Sequence, residues 1–466
     1  MGKATDRTLL SGWGRTSPTA AHVLSPSSPE QLRDDLRIAA PRAIKFGMIA
    51  RGLGRSYGDA AQCGGGTVVD MTRLEGEYSE DLSNGRITVA SGTSIDSLIR
   101  TFVPRGWFVP VTPGTRYITV GGAIAADVHG KNHHQDGSFG NHVRSLRLLS
   151  PSGVVTAGPE IDNPEIYWAT VGGMGLTGII EQAEISMIPI ETSAMLVDSR
   201  RVANLAELIK VMNESDSQYR YSVAWIDCLA SGDSLGRAVL TQGQHATAAD
   251  LAEYSKRGHR GMSSRNPLEF HSKPLFGIPD KIPSGFLNRS TVRAFNEMWY
   301  RKAPHSTKRS LESISSFFHP LDSIRDWNRL YGRRGFIQYQ MVLPFGREAE
   351  LRLAIEMLSS SGCASFLAVL KRFGAASRAP ISFPIPGWTL ALDIPVGPPK
   401  VASLLDDLDE LVAGSGGRVY FAKDSRLRPE LVDVMYPRID EWRQVRDRLD
   451  PRGLIASDLS RRLFLT

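Results

Sequence analysis

Short apolar segments with the two-residue period of β-strands recur along the chain, and fewer segments have the period of amphipathic helices. Early in the chain, Ser28 is placed to cap a helix that begins at Pro29. The same pattern predicts a helix over residues 94–102 and strands over 45–50, 67–70, 85–90, 144–149 and 154–157. Strands outnumber helices, which favours an α+β fold.

The pattern continues beyond a change of composition near residues 189–194. Residues 336–343 alternate cleanly, so Gln338 and Gln340 share one strand face with Phe336. Such a pair can line a polar pocket or face water on an exposed sheet, and alternation leaves both open. Further helices are predicted over 204–213, 347–360 and 401–413, and strands over 221–228, 365–371 and 388–394.

Residues 112–143 form a glycine-rich stretch that also holds a lysine and several histidines. Glycines let the backbone approach a ligand closely, and consecutive backbone N–H groups ahead of a helix bind anions. This favours a phosphate-bearing cofactor with reactive side chains beside it, whereas the plainer interpretation is a surface loop with solvated histidines. His129 and His133 are four residues apart, but Gly130 between them disfavours a helical metal site, so no metal is predicted.

Two other glycine-rich turns are not dinucleotide motifs of the Rossmann type. In residues 52–58, Tyr57 occupies the third glycine position of G-x-G-x-x-G. Residues 173–178 match that motif, yet the apolar, β-branched segment after them predicts a strand over 179–185 instead of the required helix. The sequence contains no P-loop motif. A Rossmann-type NAD site is therefore rejected at this motif.

Composition and charge fit a globular protein with one basic segment. The net charge is +6, and residues 251–310 hold twelve Lys or Arg against four acids, which is 12 − 4 = +8 and leaves 6 − 8 = −2 elsewhere. This segment, with apolar pieces at 274–279 and 282–287, is either a solvated loop or a flap that contacts an anionic membrane. Cys63, Cys228 and Cys363 suggest no disulfide framework. We find neither a secretory signal nor an apolar run long enough to span a membrane.

The order of glycine turns and several long motifs resemble the vanillyl-alcohol-oxidase-type FAD-linked oxidoreductases. Within them, the motifs resemble oxidases of polyprenylphosphoryl-ribose, the flavin half of a two-protein 2′-epimerase that makes the arabinose donor of actinobacterial cell walls. The resemblance implies a two-domain α+β fold: residues 5–192 and 415–466 bind FAD, and 193–414 form an inserted substrate domain on an antiparallel sheet. The motifs are ARGLGRSYGDAAQ, ADVHGKNHH, GSFGNHV, YSVAWID, QYQ, AKDSR, MYPRIDEW and ASDLSRRL.

This resemblance also implies a cofactor site. Residues 51–58 and 114–122 are expected to surround the FAD pyrophosphate with backbone N–H donors. Many relatives bind FAD covalently through a histidine in the first loop, where this chain has Arg55. A guanidinium stays protonated and is no nucleophile, so non-covalent FAD is predicted. The expected FAD-binding residues are Arg51, Gly52, Leu53, Gly54, Arg55, Ser56, Tyr57, Gly58, Pro113, Gly114, Thr115, Thr119, Gly121, Gly122, Ala125, His129, Ile179 and Tyr420.

The implied reaction is oxidation of the ribose 2′-hydroxyl of a lipid such as decaprenylphosphoryl-β-D-ribose to the 2′-keto sugar. Lys423, Tyr57 and His129 are expected at the reaction centre, Lys423 as a polarising charge and His129 as a possible proton acceptor. Substrate-binding residues are expected to be Lys131, Trp225, Gln338, Gln340, Lys371 and Lys423. Ala391 and Thr389 stand where mycobacterial members have a cysteine and usually an asparagine.

Two other functions fit parts of the sequence. An FAD-dependent oxidase of soluble sugar alcohols or aldonolactones needs neither Lys131 nor the basic segment, and a basic nucleic-acid or membrane-binding protein needs no flavin. Under the first interpretation, nucleic acid is not a partner and an NADH-dependent keto-sugar reductase is. The chain is then cytoplasmic or peripheral at the inner membrane, with export beside a partner left open. The electron acceptor and the oligomeric state are also left open.

Overall fold

The computed structural model of the protein describes residues 7–256, 265–272, 276–279, 288–362, 365, 367–397 and 400–466. Cys363, residues 274–275 and 282–287, and other parts of the basic segment lie outside the described residues. Cys63 and Cys228 are buried thiols.

The first 192 residues contain short strands and mostly short helices. The strands are β1 (Thr8–Leu10), β2 (Thr19–Leu24), β3 (Met48–Arg51), β4 (Thr67–Asp70), β5 (Glu77–Asp81), β6 (Arg86–Ala90), β7 (Trp107–Phe108), β8 (Val143–Ser150), β9 (Gly153–Ala157), β10 (Ile179–Ser186) and β11 (Ile188–Pro189). The helices are α1 (Pro29–Phe46), α2 (Ile95–Phe102), α3 (Val120–Ala125), α4 (His133–Asp136) and α5 (Pro164–Thr170).

The rest of the described chain has the three nine-residue strands and, apart from α1, the helices of more than eight residues. The strands are β12 (Ala194–Val202), β13 (Tyr221–Ile226), β14 (Ala238–His245), β15 (Phe276–Gly277), β16 (Lys308–Ser313), β17 (Ile324–Arg325), β18 (Phe336–Pro344), β19 (Ala368–Phe373), β20 (Gly387–Pro395) and β21 (Arg418–Val419). The helices are α6 (Leu205–Ser215), α7 (Ala248–Lys256), α8 (Arg289–Lys302), α9 (Ile314–Phe318), α10 (Glu348–Ser361), α11 (Lys400–Gly414), α12 (Val432–Met435), α13 (Ile439–Leu449) and α14 (Asp458–Arg462).

The described residues form three sheets of four or more strands and two two-stranded sheets, β11-β7 and β15-β17. A four-stranded sheet has the order β1-β2-β4-β3, with β2, β4 and β3 parallel, and an antiparallel five-stranded sheet has the order β5-β6-β10-β8-β9. The eight-stranded antiparallel sheet has the order β16-β12-β14-β13-β19-β20-β18-β21. The predicted α+β class with an antiparallel sheet in the second half is confirmed. The predicted domain boundaries stay a prediction.

Most predicted elements are confirmed within a few residues. Ser28 caps α1, accepting a hydrogen bond from the Gln31 N–H. The segment after the 173–178 glycine motif is strand β10, not a helix. The strand predicted over 45–50 is wrong at its start, because α1 continues to Phe46 and ends at Gly47, whose positive φ of 69° suits glycine.

One large core joins the two halves of the chain. It includes Val89 and Ile124 from the first half, Leu370 and Leu392 from the eight-stranded sheet, and Trp442 from the C-terminal part. Every one of these side chains is fully buried. The C-terminal residues thus pack with the N-terminal glycine loops, which places both beside the large sheet.

Candidate active site

A cavity of about 280 Å³ lies where the two glycine-rich stretches meet the eight-stranded sheet. One end of the cavity is formed by residues 50–56 and by residues 113–128, and we call it the cofactor end, whereas Tyr57 and His129 lie with the opposite end. The other end, which we call the substrate end, is formed by side chains of the large sheet and of the segment 420–424. Its lining includes Gln338, Gln340, Lys371, Ala391, Tyr420 and Lys423.

The first glycine loop offers unused backbone donors to the cofactor end. Within the described part of the chain, no N–H group of residues 52–56 donates a hydrogen bond. Arg51 holds the loop from behind, because its two terminal nitrogens donate to the carbonyls of Ala61 at 3.0 Å and Ser11 at 2.8 Å. A side chain at Gly52 would collide with Thr119, whose Oγ1 lies 2.3 Å from the position of its Cβ. The loop therefore has backbone donors available for an anion, and its contact with Thr119 requires glycine at position 52.

The second stretch differs from its prediction. Thr119 caps α3 by accepting the Gly122 N–H at 3.2 Å, and the Gly121 N–H donates to the Ser91 carbonyl at 2.8 Å. These N–H groups are therefore consumed inside the protein, and the expectation that residues 114–122 supply a second row of donors is wrong for Gly121 and Gly122. Both glycines line the cavity. A Cβ at Gly121 would lie 3.0 Å from Ser91, so glycine at this position also allows α3 to pack closely against Ser91.

Arg55 is a residue of the first loop and lines the cavity. Its guanidinium stacks over the Trp13 ring at 3.7 Å, and its Nε is buried without a hydrogen-bond acceptor in the described residues. Burial lowers the pKa of Arg55. An unpartnered buried donor beside unused backbone N–H groups indicates that a bound anion belongs here.

The segment 420–424 is fixed against the first loop. The Tyr57 N–H donates to the Ala422 carbonyl at 2.9 Å. Gly58 does not line the cavity, since a Cβ there would lie 1.8 Å from the Asp424 carbonyl oxygen. Its predicted role in FAD binding stays a prediction, whereas its close contact with Asp424 shows that this position requires glycine. As a result, Lys423 Nζ stands 3.9 Å from the centroid of the Tyr57 ring.

Arg462 ties these two segments together from outside the cavity. Its guanidinium binds both oxygens of Asp59 at 2.9 Å and Oδ2 of Asp424 at 2.8 Å. Asp424 also accepts the backbone N–H groups of Arg426 and Leu427. One cation therefore joins the first loop to the neighbour of Lys423.

At the substrate end, His129 and Gln340 are joined by a 2.8 Å hydrogen bond between His129 Nε2 and the Gln340 amide nitrogen. The same amide nitrogen donates to Thr389 Oγ1 at 3.2 Å. Since the amide donates, His129 must carry its proton on Nδ1, and Nδ1 is buried without a partner in the described residues. Burial, reinforced by Lys371, lowers the pKa of His129 well below its usual range. His129 is thus neutral with no unused lone pair, which disfavours its predicted role as proton acceptor.

Two lysines reach the same end without hydrogen-bond acceptors in the described part of the chain. Burial lowers the pKa of Lys371 to about 8. Burial also lowers the pKa of Lys423 to about 7, although the nearby Asp393 carboxylate raises it. Near neutral pH a substantial fraction of Lys423 is therefore the neutral amine, a form that can accept a proton.

Asp393 was missed at the sequence level. It is fully buried on β20 directly opposite Gln338, and its Oδ1 accepts the Gln338 amide nitrogen at 2.5 Å. Burial raises the pKa of Asp393 to about 7. The available signal was a single carboxylate inside the apolar strand GWTLALDIP, because such a residue is rarely buried without a partner.

Most of the predicted residues meet in this cavity, but four do not line it: Gly58, Ile179, Lys131 and Trp225. Both neighbours of Ile179, Gly178 and Ile180, do line it. Lys131 Nζ donates to the Phe317 carbonyl and stands 4.2 Å from the Phe317 ring centroid. Burial lowers the Lys131 pKa to about 7. Its predicted role in substrate binding stays a prediction.

Comparison with known proteins gives the same assignment as the cavity. Residues 20–158 match the family described as FAD binding domain, and residues 395–463 match D-arabinono-1,4-lactone oxidase. The first match covers both glycine stretches, and the second covers Lys423 and Arg462. The fold and the cavity define an FAD-dependent oxidoreductase.

Individual relatives indicate which family of FAD-dependent oxidoreductases the chain belongs to. The chain is 45% identical to decaprenylphosphoryl-beta-D-ribose oxidase of Mycolicibacterium smegmatis over 98% of the chain and 97% of the relative. It is 22% identical to L-gulono-1,4-lactone dehydrogenase of Mycobacterium tuberculosis over 98% of the chain and 99% of the relative. Cytokinin dehydrogenase 2 of Arabidopsis thaliana is 29% identical over 36% of the chain and 34% of the relative. The protein belongs to the decaprenylphosphoryl-β-D-ribose oxidase family of FAD-linked oxidoreductases.

Proposed function

We propose that the protein oxidises the 2′-hydroxyl of decaprenylphosphoryl-β-D-ribose to the 2′-keto sugar, the first half of 2′-epimerisation to an arabinose donor. The observation that supports this most directly is one cavity that joins an anion cradle to Lys423 and two glutamines. The cradle fits the pyrophosphate of FAD, because it combines unused N–H groups at 52–56 with the unpartnered Nε of Arg55.

When bound, FAD supplies the acceptor for the hydride that leaves C2 of the ribose. The protein must then remove the hydroxyl proton. We assign this to the neutral amine of Lys423, since His129 Nε2 is occupied and burial raises the pKa of Tyr57 well above its usual value. The ammonium that forms is stabilised by the carboxylate of Asp393. Tyr57 contributes its ring, which shields Nζ of Lys423 from water on one side.

We also propose that FAD is held without a covalent bond. Arg55 stands where many relatives have the linking histidine, and it stacks on Trp13. Acid precipitation of the purified protein is expected to leave all the flavin in the supernatant. Flavin that remains with the pellet would contradict this assignment.

Helix α8 is the described part of the basic segment best suited to contact lipid. Its exposed residues include the cations Arg289, Arg293 and Lys302 and the apolar Met298 and Trp299, which are 58% and 41% exposed. Cations attract an anionic membrane surface while apolar side chains insert into it. This supports peripheral membrane contact by an enzyme whose substrate is a lipid. In the described part of the chain, no helix is both long and apolar enough for a membrane span.

Membrane contact is tested by sedimentation with vesicles. Arg293→Glu is expected to weaken binding to anionic vesicles and not to neutral ones. Arg37→Glu is the matched control, because it makes the same charge change on an exposed site of α1. Equal binding by Arg293→Glu and the wild type would contradict the assignment. Completion of the epimerisation requires reduction of the keto sugar from the opposite face, for which we propose an NADH-dependent reductase partner.

A second candidate is oxidation of a soluble aldonolactone or sugar alcohol, favoured by the match of residues 395–463. Anaerobic mixing with a short-chain polyprenyl-phosphoribose, xylitol or gulono-1,4-lactone separates the two functions. Loss of the oxidised-flavin absorbance with the phosphoribose alone supports the lipid-linked substrate. Bleaching by the lactone or xylitol, and not by the phosphoribose, would overturn it.

A further inference from the structure

The two glutamines of β18 present the same atom to the cavity. The amide nitrogen of Gln338 donates to Asp393, and that of Gln340 donates to His129 and Thr389. In the described part of the chain, neither carbonyl oxygen Oε1 accepts a hydrogen bond, and neither is a buried atom without a partner. Both residues line the cavity, so these two oxygens are available there as acceptors.

Asp393 determines which end of the Gln338 amide faces inward. The hydrogen bond runs from the Gln338 amide nitrogen to Asp393 Oδ1, so Oε1 points away from this oxygen. The ionised carboxylate, which predominates above its pKa of about 7, can only accept hydrogen bonds and therefore enforces this orientation. The Tyr331 hydroxyl donates to the other carboxylate oxygen at 3.4 Å. In the described residues, no cation lies within salt-bridge distance of this fully buried carboxylate. A buried charge without an ion pair is costly, which calls for a functional explanation.

We propose that Asp393 is a positioning residue that turns the Gln338 carbonyl towards the cavity. The substrate end then selects ligands that donate two hydroxyl hydrogen bonds. The negative charge of Asp393 has a second role, because it favours the ammonium form of Lys423. This inference rests on the proposed function, because it specifies how the sugar is recognised. The groups that face Lys423 are Asp393 from β20, Lys371 from β19, and Tyr57 from the first loop, with His129 nearby. Among these, Asp393 is the group whose charge favours the ammonium.

Two substitutions separate the two roles. Asp393→Asn removes the charge but keeps an oxygen that can accept the Gln338 amide. Asp393→Leu removes both the charge and the acceptor. Asp409→Asn is the control for loss of a buried charge outside the cavity, because Asp409 is equally buried, accepts a hydrogen bond from the Tyr339 hydroxyl at 3.0 Å and does not line the cavity, although unlike Asp393 it also pairs with Arg426 at 2.6 Å.

Hydroxyl recognition is measured by binding of two unreactive ligands, the 2′-deoxy and the 2′,3′-dideoxy forms of a short-chain prenyl-phosphoribose, titrated by calorimetry. The wild type and Asp393→Asn are expected to prefer the 3′-hydroxyl by about tenfold. Asp393→Leu is expected to lose this preference, and Asp409→Asn to keep it. An unchanged preference in folded, flavin-loaded Asp393→Leu would overturn the positioning role. If that variant does not fold, Gln338→Leu must lose the same preference, and an unchanged ratio there would overturn the acceptor role.

The charge effect is measured from the pH dependence of flavin reduction. Removing the negative charge lowers the pKa of Lys423, so the rising limb for Asp393→Asn should move to lower pH, while that for Asp409→Asn should not move. If flavin reduction by Asp393→Asn rises over the same pH range as in the wild type, the proposed effect of the Asp393 charge on Lys423 is wrong. Failure of the proposed function is distinguishable, because the wild type would then bind neither ligand and no phosphoribose would reduce its flavin.

Discussion

The two ends of the cavity differ in the kind of groups that they offer to a ligand. The cofactor end uses backbone N–H groups of residues 52–56, held in place by Arg51 and by the close contact of Gly52 with Thr119. The substrate end uses side chains of the large sheet and of segment 420–424, whose charges depend on burial and on one another.

This difference has a chemical consequence. Backbone amides do not titrate, so the cofactor end keeps its affinity for anions at any pH near neutrality. At the substrate end Lys423 titrates near 7, which suits a group that must gain a proton in one step and lose it afterwards. Damage to one end should therefore leave the other end working, and this separation can be tested.

The largest effect is expected at the cofactor end. In Gly52→Val the new side chain collides with Thr119, whose Oγ1 would be 2.3 Å from Cβ, and closes the cradle. The purified protein should lose its bound flavin altogether. The flavin-to-protein absorbance ratio measures this. Gly414→Ala is the control, since a Cβ there meets nothing within 4 Å. A Gly52→Val protein that still holds a full equivalent of flavin would show that the loop is not the cradle.

A substitution at the substrate end should slow the reaction and leave FAD binding unchanged. Lys423→Met keeps an apolar chain over Tyr57 but has no amine to take the hydroxyl proton. Flavin reduction by substrate should slow by about 10²–10⁴-fold, the usual contribution of a general base. Flavin content should stay at the wild-type level. Stopped-flow absorbance measures the rate, and loss of flavin together with the rate would mean that the two ends are not separate.

The pH dependence of the wild type follows from the same residue. The neutral form of Lys423 increases as pH rises through its pKa of about 7. The rate of flavin reduction should rise about tenfold per pH unit below that value and level off above it. Flavin binding should not change over this range. A rate that falls as pH rises through 7 would show instead that the ammonium form of Lys423 is the active one, which is the polarising role predicted from the sequence.

The sequence predicted the cofactor end better than the substrate end. Glycine turns, strand alternation and the Ser28 cap are local signals, so a single segment reveals each of them. The pairs that define the substrate end are not local. His129 contacts Gln340, 211 residues away, and Gln338 contacts Asp393, 55 residues away. No spacing rule links such residues before the sheet is formed.

Even at the cofactor end, composition gave too much weight to some glycines. Residues 114–122 look like a second row of donors, but the N–H groups of Gly121 and Gly122 are used by Ser91 and Thr119. Lys131 was assigned to the substrate from its place in the same stretch, whereas its Nζ donates to Phe317. In both places a tertiary partner, which the local pattern does not contain, satisfies the group.

Substitution of Arg462 tests whether the bridge between Asp59 and Asp424 stabilises the protein. Arg462→Met leaves Asp59 and Asp424 without their shared cation. Asp424 is buried and Asp59 is partly buried, so the loss of their shared cation should cost about 1–3 kcal/mol and thermal unfolding should occur at a lower temperature. Arg443→Met is the control, because its partners Asp433 and Asp440 are exposed and such surface pairs contribute about 0–1 kcal/mol. Equal melting temperatures for the two variants would mean that Arg462 does not hold the ends together.

The smallest effect is expected within the substrate end, at Thr389. Its hydroxyl accepts from Gln340 and donates to the Met341 carbonyl at 2.9 Å, so Thr389→Val removes both bonds at nearly constant volume. Gln340 still donates to His129, so the loss of about 0.5–1.5 kcal/mol should raise KM by about twofold to tenfold and leave flavin content unchanged. In a Gln340→Leu background the same substitution should add little to KM, because the carbonyl that Thr389 helps to orient is already gone. Additive effects in the double variant would mean that Thr389 acts on the substrate directly, and the substrate end would then depend on individual contacts and not on one connected network.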